Sequence, residues 1–238
     1  MKHNSINILI AGEAGQGLVT LSQILIKGLV RAGYYIVVTQ SYQSRIRGGH
    51  NFYTIRVSAG KIIAPKEPVD VLVALDQKSI DLHLNELSPH GVVVVDEGVS
   101  GTEHTQIIKA PFAKLAGDKF SNSVALGVVS GLLGLDEGKL SETLRYFFDK
   151  HGSDATEHNV SSFSSGYEWI TQQNTNFPKL PSPTLPEGRL TLNGNESIAL
   201  GAIVAGIRFF AFYPMSPATS IATTLAEHAK DMEFVLEQ

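Results

Sequence analysis

Three glycines within one short turn are the first residues whose types and spacing could do chemistry. The turn runs from Gly12 to Gly17, reads G-E-A-G-Q-G, follows the apolar run Ile6–Ile10 and precedes leucines at positions 18, 21, 25 and 29. This change of spacing predicts a buried strand that enters the turn and an amphipathic helix that leaves it. Unpaired N–H groups at the start of such a helix suit an anion. A purely steric role for the glycines explains one or two of them more easily than three.

The spacing of these glycines argues against a dinucleotide site. The dinucleotide fingerprint is G-x-G-x-x-G, whereas this turn reads G-x-x-G-x-G. A nicotinamide site also needs an acidic residue after the second strand. The second apolar run, Ile36–Val38, is followed by Thr39, Gln40 and Ser41 instead.

A second candidate for anion binding is the segment from Ser44 to Asn51, which reads S-R-I-R-G-G-H-N. Guanidinium groups match phosphate and carboxylate oxygens bidentately. The alternative is a surface loop with solvated arginines, but the absence of acidic residues between Tyr35 and Gly60 favours binding. His50 alone is more typical of a structural residue than of a catalytic one. The anion-site candidates, which include one residue from a later helix, are Gly12, Gly15, Gln16, Gly17, Ser44, Arg45, Arg47, Gly48, Gly49 and Asn122.

A third segment, which reads Y-P-M-S-P from Tyr213, follows an apolar run and precedes a helical pattern. Its two prolines fix the backbone and would expose Ser216 at the carboxyl end of a strand. A rigid turn in which Ser216 or Thr219 caps the helix is an equally favoured interpretation. No G-x-S-x-G sequence surrounds Ser216, which argues against a hydrolase nucleophile. The candidates here are Tyr213, Pro214, Ser216, Pro217 and Thr219.

Other polar residues are predicted to be structural. Asp76 and Asp96 follow apolar runs, and we expect them to cap helices or turns. Six further histidines show no metal-ligand spacing and are assigned no role: His83, His90, His104, His151, His158 and His228. No metal site is predicted.

Composition excludes several classes of function. A formal charge of -4 over 238 residues gives no basic excess for nucleic acid and no polybasic segment for a membrane surface. No apolar run reaches the roughly 20 residues of a membrane span, and no signal segment precedes the first strand, so we predict a cytoplasmic protein. The chain has no cysteine. It therefore cannot ligate an iron–sulfur cluster through thiolates.

Alternating strands and helices predict a three-layer α/β/α domain with a mostly parallel sheet over residues 1–176. Prolines at 178, 181, 183 and 186 predict an extended linker over 177–189. Residues 190–238 have their own strand–helix pattern, with a buried strand predicted at Phe209–Phe212. They are too few to bury a core alone, so we expect an incomplete part of a larger α/β domain. Other predicted elements include helices at Gln77–Leu87, Asn122–Leu133 and Leu140–Lys150 and a short strand at Thr105–Ile108.

These motifs together resemble the 2-oxoacid:ferredoxin oxidoreductases. The two segments that begin at Gly12 and Ser44, with N-S-V-A-L-G from Asn122, resemble the gamma domain of that family. G-N-E-S-I-A-L-G from Gly194 and Y-P-M-S-P-A from Tyr213 resemble the start of its alpha, pyrimidine-binding domain, whose signature is Y-P-I-T-P-S. The two motif sets stand in the fused gamma-then-alpha order and cover nearly the whole chain.

The resemblance implies oxidative decarboxylation of a 2-oxoacid, with 2-oxoglutarate favoured, to an acyl-CoA and CO2, with electrons passed to ferredoxin. It implies that thiamine diphosphate, its Mg²⁺ and an iron–sulfur cluster are held mainly by a beta subunit, in a multi-subunit oligomer. Ser216 would take the place of the signature threonine near the thiazolium. Arg45, Arg47 and the glycine turn would contact the coenzyme A phosphates. The activating glutamate is expected just beyond Gln238, although Glu237 lies near that place, so this chain alone is expected to be inactive. A non-catalytic module that binds coenzyme A or a nucleotide and assists subunit assembly is the alternative.

Overall fold

The computed structural model describes residues 5–41, 49–100, 106–116, 121–149, 152–183 and 191–238. The chain divides into two compact units, Met1–Arg189 and Leu190–Gln238. No helix among the described residues has both the length and the apolar character needed to cross a membrane.

In the first unit the strands are β1 (Ser5–Glu13), β2 (Tyr35–Ser41), β3 (His50–Ser58), β4 (Val69–Ala74), β5 (Leu87–Asp96) and β6 (Ile107–Ala110). The helices are α1 (Leu18–Arg31), α2 (Gln77–His83), α3 (Phe112–Ala116), α4 (Ser121–Leu133), α5 (Glu137–Phe148) and α6 (Ser153–Gln172).

The sheet of this unit has the order β2-β3-β1-β4-β5-β6. Strands β1, β4, β5 and β6 are parallel, and β3 is antiparallel to both β1 and β2. The prediction of a mostly parallel sheet is therefore confirmed. Because β3 runs opposite to β1, the start of β3 lies beside the end of β1, at the same edge as the end of β4.

Helices cover both faces of the sheet, which makes three layers as predicted. Ile8 and Ile10 of β1 belong to a large core cluster that includes Leu21 of α1. Leu9, which points to the other face, belongs to a smaller cluster with Ile80 of α2. Since β1 is buried on both faces, its sequence is apolar without interruption from Ile8 to Ala11 and does not alternate.

Helices α4 and α6 cross at a point where glycines bring the two backbones together. Every residue from Ser123 to Leu133 in α4 is buried. A Cβ added to Gly127 would overlap the carbonyl oxygen of Phe163, and one added to Gly166 would overlap that of Val124. The small residues of α4 thus permit close packing of the two helices.

The first part of the predicted linker packs on the first unit. Phe177 and Leu180 are 8% and 7% exposed, and the Leu180 N–H donates to Leu133 O at 2.9 Å. Lys179 Nζ donates to Gly131 O at 2.6 Å and Leu132 O at 2.9 Å, at the end of α4, and burial lowers the pKa of this ammonium group. A linker that begins at residue 177 is therefore not confirmed, and residues 184–190 lie outside the described ranges.

The predicted caps and two predicted boundaries can be compared directly. Asp76 Oδ1 accepts from the Ser79 N–H at 2.8 Å, and Asp96 Oδ2 accepts from the Phe112 N–H at 3.0 Å, so both aspartates are caps as expected. The helix predicted to reach Leu87 ends earlier, at the end of α2, and a 3-10 turn leads into β5. The strand predicted at Thr105–Ile108 is β6, which begins later than predicted.

The second unit contains α7 (Gly194–Val204), β7 (Phe209–Ala211), α8 (Thr219–His228) and β8 (Val235–Glu237). Asn193 and Glu196 form a capping box at the start of α7. Strands β7 and β8 are parallel, and Ala199, Leu225 and Phe234 form a small buried cluster. The prediction of a buried strand at Phe209–Phe212 is wrong about burial. Phe209 is 60% exposed, because β7 has only β8 as a partner among the described residues.

We predict that Gly127→Ala destabilises the first unit by about 1–3 kcal/mol, because the methyl group would push α4 away from α6. Gly138→Ala is the matched control, since its Cβ would meet only the Asp136 side chain, at 3.3 Å. The control should be neutral or slightly stabilising because alanine has the higher helix propensity. Urea unfolding of both variants measures the difference, and equal free energies of unfolding would contradict the close crossing.

Candidate functional site

Gly12 is part of a strand, not of the turn. Strand β1 continues through Glu13, and Gly12 pairs with Asn51 of β3. A Cβ at Gly12 would lie 3.1 Å from the side chain of Leu75. The steric explanation is therefore sufficient for this glycine.

The remaining residues of the motif form a closed turn between β1 and α1. Gly15 and Gly17 have φ values of 100° and 77°, which favour glycine. The Gln16 N–H donates to Glu13 O at 3.2 Å, and Gln16 Oε1 accepts from the Glu13 N–H at 2.8 Å. Backbone and side chain of Gln16 thus close the turn together.

Asn122 connects this turn to the first turn of α4. Its Nδ2 donates to Gln16 O at 2.8 Å. A Cβ at Gly17 would overlap the Asn122 amide group. The structure thus brings together Gly15, Gln16, Gly17 and Asn122, which the sequence had only grouped by their motifs.

The start of α1 has the features of an anion-binding helix N-terminus. Gly17 is its N-cap, so no side-chain cap is present, and no acidic residue lies in the first turn. Nothing lies within 4 Å of the position that a Cβ on Gly15 would occupy. The first N–H groups of the helix are therefore not paired by a capping side chain, and the positive end of the helix dipole lies among them.

The arginine segment joins the sheet beside the turn. Ser44, Arg45, Arg47 and Gly48 lie outside the described residues. Gly49 is described, with a φ of 80°. The next residue, His50, is the antiparallel partner of Glu13, so the two candidate segments meet at one edge of the sheet.

Sequence reasoning missed a contact between two histidines at this edge. His50 Nε2 lies 2.7 Å from His83 Nε2, and His83 Nδ1 lies 2.9 Å from Glu86 Oε1. His83 is 4% exposed, and Phe52 packs against both imidazole rings. The two histidines come from β3 and α2, so no local spacing could have indicated the pair.

A cavity of about 220 Å³ lies next to Gly17, among α1, α4, α5 and α6. It is lined by Gly17, Thr20, Leu21, Ile24, Asn122, Ser123, Leu126, Phe148 and Asn159. Ser123 Oγ donates to Asn159 Oδ1 at 2.7 Å in its wall. None of these residues is charged, so the cavity suits a neutral group better than a phosphate.

The third candidate segment lies in the second unit, between β7 and α8. Tyr213 and Ser216 are exposed, and Thr219 is the first residue of α8. Asn195 Nδ2 donates to Pro217 O and to Ser220 Oγ, both at 2.7 Å. This asparagine, from the G-N-E-S motif, thus fixes the turn that carries Ser216. In the part of the chain that the structure describes, no three His, Asp or Glu side chains converge to hold a metal ion.

The fold and these segments define an α/β protein with a glycine turn at the carboxyl edge of a mostly parallel sheet. The pyruvate ferredoxin/flavodoxin oxidoreductase family matches residues 7–169, which is more than half of the chain. The chain belongs to this family.

Curated relatives include 2-oxoacid:ferredoxin oxidoreductase 2, subunit alpha, of Aeropyrum pernix, which is 25% identical over 94% of this chain and 43% of its own length. The 2-oxoglutarate synthase subunit KorC of Methanocaldococcus jannaschii is 31% identical over 68% of this chain and 91% of its own length. The chain thus spans less than half the length of the alpha-subunit relatives that it matches.

Two solved structures are similar to this chain. One is the 2-oxoglutarate:ferredoxin oxidoreductase of Magnetococcus marinus with 2-oxoglutarate, coenzyme A and succinyl-CoA bound, with a TM-score of 0.89 and 26% identity over 99% of this chain and 43% of that one. The other is the gamma subunit of a keto/oxoacid ferredoxin oxidoreductase of Geobacter sulfurreducens, with a TM-score of 0.60 and 24% identity over 71% of this chain and 97% of that one. The second likeness concerns the fold alone.

We predict that Gly17→Ala and Asn122→Ala are energetically coupled. Each alone should destabilise the first unit by about 1 kcal/mol or more, because one strains a left-handed residue and the other loses a hydrogen bond. In the double variant the overlap between the new methyl group and the amide disappears. The sum of the stability losses in the two single variants should therefore exceed the loss in the double variant by about 0.5–3 kcal/mol.

Gly15→Ala is the matched control for this cycle. Its φ is also positive, at 100°, but its Cβ would lie in open space, so its effect should add to that of Asn122→Ala. Free energies of unfolding for the five variants test the coupling. Additive losses for Gly17 and Asn122 would show that the Asn122 amide does not pack against Gly17.

Proposed function

We propose that this chain is part of a 2-oxoacid:ferredoxin oxidoreductase, which converts a 2-oxoacid and coenzyme A to an acyl-CoA and CO2 and passes electrons to ferredoxin. The observation that carries the proposal is the likeness over 99% of the chain to the Magnetococcus marinus enzyme. That enzyme was solved with 2-oxoglutarate, coenzyme A and succinyl-CoA bound.

The favoured substrate of the proposed enzyme is 2-oxoglutarate. The relative with 31% identity is named as a subunit of 2-oxoglutarate synthase. A subunit of a ketoisovalerate oxidoreductase is 26% identical over 69% of this chain. A branched-chain 2-oxoacid is therefore the second substrate to test.

The redox cofactors of the proposed enzyme would be held mainly by a beta subunit. Thiamine diphosphate supplies the carbanion chemistry when it is bound. This chain has no cysteine to ligate a cluster, and its described residues have no convergent carboxylates for a magnesium ion. The chain's own contribution would be to bind and orient coenzyme A and the substrate within an oligomeric, cytoplasmic complex.

The glycine turn is the proposed site for the coenzyme A phosphates. Its support is the start of α1, which has no side-chain cap and no acidic residue in its first turn. Arg45 and Arg47, from the segment that enters the sheet beside Glu13, would add guanidinium donors. The adjacent uncharged cavity could receive a neutral part of the same ligand.

Ser216 is the proposed contact to substrate near the thiamine thiazolium. Its hydroxyl replaces that of the signature threonine in the family, and the side chain is exposed on the turn that Asn195 holds. Serine keeps the hydrogen-bonding group and lacks the methyl group. Orientation of the substrate by this hydroxyl is the role we assign to it.

The full complex that contains this chain, purified with its beta subunit, should reduce a viologen dye when given 2-oxoglutarate and coenzyme A. Omission of coenzyme A should abolish the steady rate. Ser216→Ala should lower kcat roughly tenfold, which corresponds to about 1.4 kcal/mol of transition-state stabilisation, whereas Ser216→Thr should retain activity. If no 2-oxoacid supports reduction while coenzyme A still binds, the chain is a binding and assembly module instead.

We predict that Arg45→Ala and Arg47→Ala each weaken coenzyme A binding by about tenfold or more, since a charge-assisted hydrogen bond contributes about 1.5–3 kcal/mol. Arg31→Ala is the matched control. Arg31 is at the far end of α1, roughly 20 Å from the glycine turn, and it contacts the Tyr146 ring. Calorimetry on the purified complex measures the affinities. Unchanged affinity in both arginine variants would refute the phosphate assignment.

A further inference from the structure

The histidine pair at the edge of the sheet is not used by the function proposed above. His50 is the first residue of β3 and His83 is the last residue of α2. Their Nε2 atoms lie 2.7 Å apart, and His83 Nδ1 lies 2.9 Å from Glu86 Oε1. Three side chains thus form a continuous chain of hydrogen bonds.

The chemistry of these groups fixes where the protons lie. An ionised carboxylate can only accept, so His83 Nδ1 carries a proton and donates it to Glu86. A neutral His83 then has a lone pair on Nε2, so His50 Nε2 must be the donor between the two rings. His50 Nδ1 is left with a lone pair, and this atom is buried without a hydrogen-bond partner in the described part of the chain.

This arrangement can accept one additional proton without breaking. A proton on His50 Nδ1 makes an imidazolium ion that still donates through Nε2 to His83. A second additional proton would have to bind His83 Nε2. The N–H groups of the two Nε2 atoms would then face each other, and the hydrogen bond between the rings would be lost. The pair is therefore a one-proton acceptor whose vacant position is His50 Nδ1.

Several charged groups act on this position. Burial is the main cause of the lowered pKa of His50, and the neighbouring His83 and the ammonium group of Lys78 lower it further. The carboxylates of Asp76 and Glu86 oppose this shift. Glu13, the antiparallel partner of His50 in β1, is exposed on the same face. The lowered pKa of His50 favours its neutral form.

An anion at the glycine turn would lie close to this proton acceptor. Paired residues in antiparallel strands have Cα atoms about 5 Å apart, and successive Cα atoms are about 3.8 Å apart. Gly15 therefore lies within about 13 Å of His50. Since interactions with buried charges are screened less than those at the surface, a negative ligand would favour the protonated pair.

We propose that the His50–His83–Glu86 chain takes up one proton from solvent, at His50 Nδ1, when a phosphorylated ligand binds at the Gly15–Gly17 turn. The proposal rests on the proposed coenzyme A site and adds a proton-linked residue to it. Binding would therefore tighten as the pH falls toward the lowered pKa of His50 in the unliganded chain.

Calorimetric titration of the purified complex that contains this chain, with coenzyme A, tests this coupling. At pH 7.5, where the ligand's phosphates are ionised, titrations in buffers of different ionisation enthalpy give the number of protons taken up. The wild-type chain should take up a larger number than His50→Gln, with a difference that approaches one proton. His90→Gln is the matched control, because His90 is exposed in β5, and it should behave as wild type.

Nuclear magnetic resonance supplies a test that needs no ligand. With ¹⁵N-labelled histidine, a scalar coupling across the N–H···N hydrogen bond should connect the His50 and His83 rings, and it should vanish in His83→Gln. Absence of this coupling in the wild-type chain would overturn the proton assignment. Equal proton uptake by wild type and His50→Gln, with coenzyme A bound, would overturn the proton role alone. Failure of coenzyme A to bind would overturn the proposed site and the coupling with it.

Discussion

The central position of β1 is the constraint on which the rest of the first unit depends. This strand pairs with β3 on one side and β4 on the other, and both of its faces are buried. Its two partners run in opposite directions, so the end of β1, the end of β4 and the start of β3 meet at one edge. The glycine turn, the cap Asp76 and His50 are neighbours because of this pairing. A shift of register by one residue would exchange the two buried faces and separate these groups.

The packing of α4 transmits this constraint to the turn. Its glycines let α6 approach closely, and Lys179 binds the carbonyl groups at its end. The helix is thereby fixed along its length, so Asn122 in its first turn holds the Gln16 carbonyl group at a defined place. The conformation of the glycine turn is thus stabilised by α4, a helix that lies much later in the chain. An isolated, unstructured peptide with the sequence of the turn would lack the left-handed conformation of Gly17 and the Asn122 amide that packs on it.

The sequence predicted the features that depend on neighbours in the chain. The apolar run of β1, the turn, the start of α1 and the mostly parallel sheet follow from local spacing. Helix α6 was not predicted, because its exposed residues are polar and only a few large apolar side chains, such as Phe163 and Ile170, are buried. The burial of β7 was overestimated because burial depends on which strands pair. The contact between His50 and His83 depends on the packing of two separate elements, and no spacing encodes it.

The division of residue types between the two units also limits what each can do. The first unit contains the uncapped helix start and the histidine pair, which suit the binding of a phosphorylated ligand, and an uncharged cavity, which suits a neutral group. The second unit contains an exposed serine on a proline-fixed turn, which suits contact with a small substrate. Neither unit offers a thiolate, and no described cluster of carboxylates could hold a metal ion. In the proposed enzyme, the thiolates that ligate an iron–sulfur cluster would have to lie outside these 238 residues. The roles that we propose for the residues of this chain are binding, orientation and proton balance.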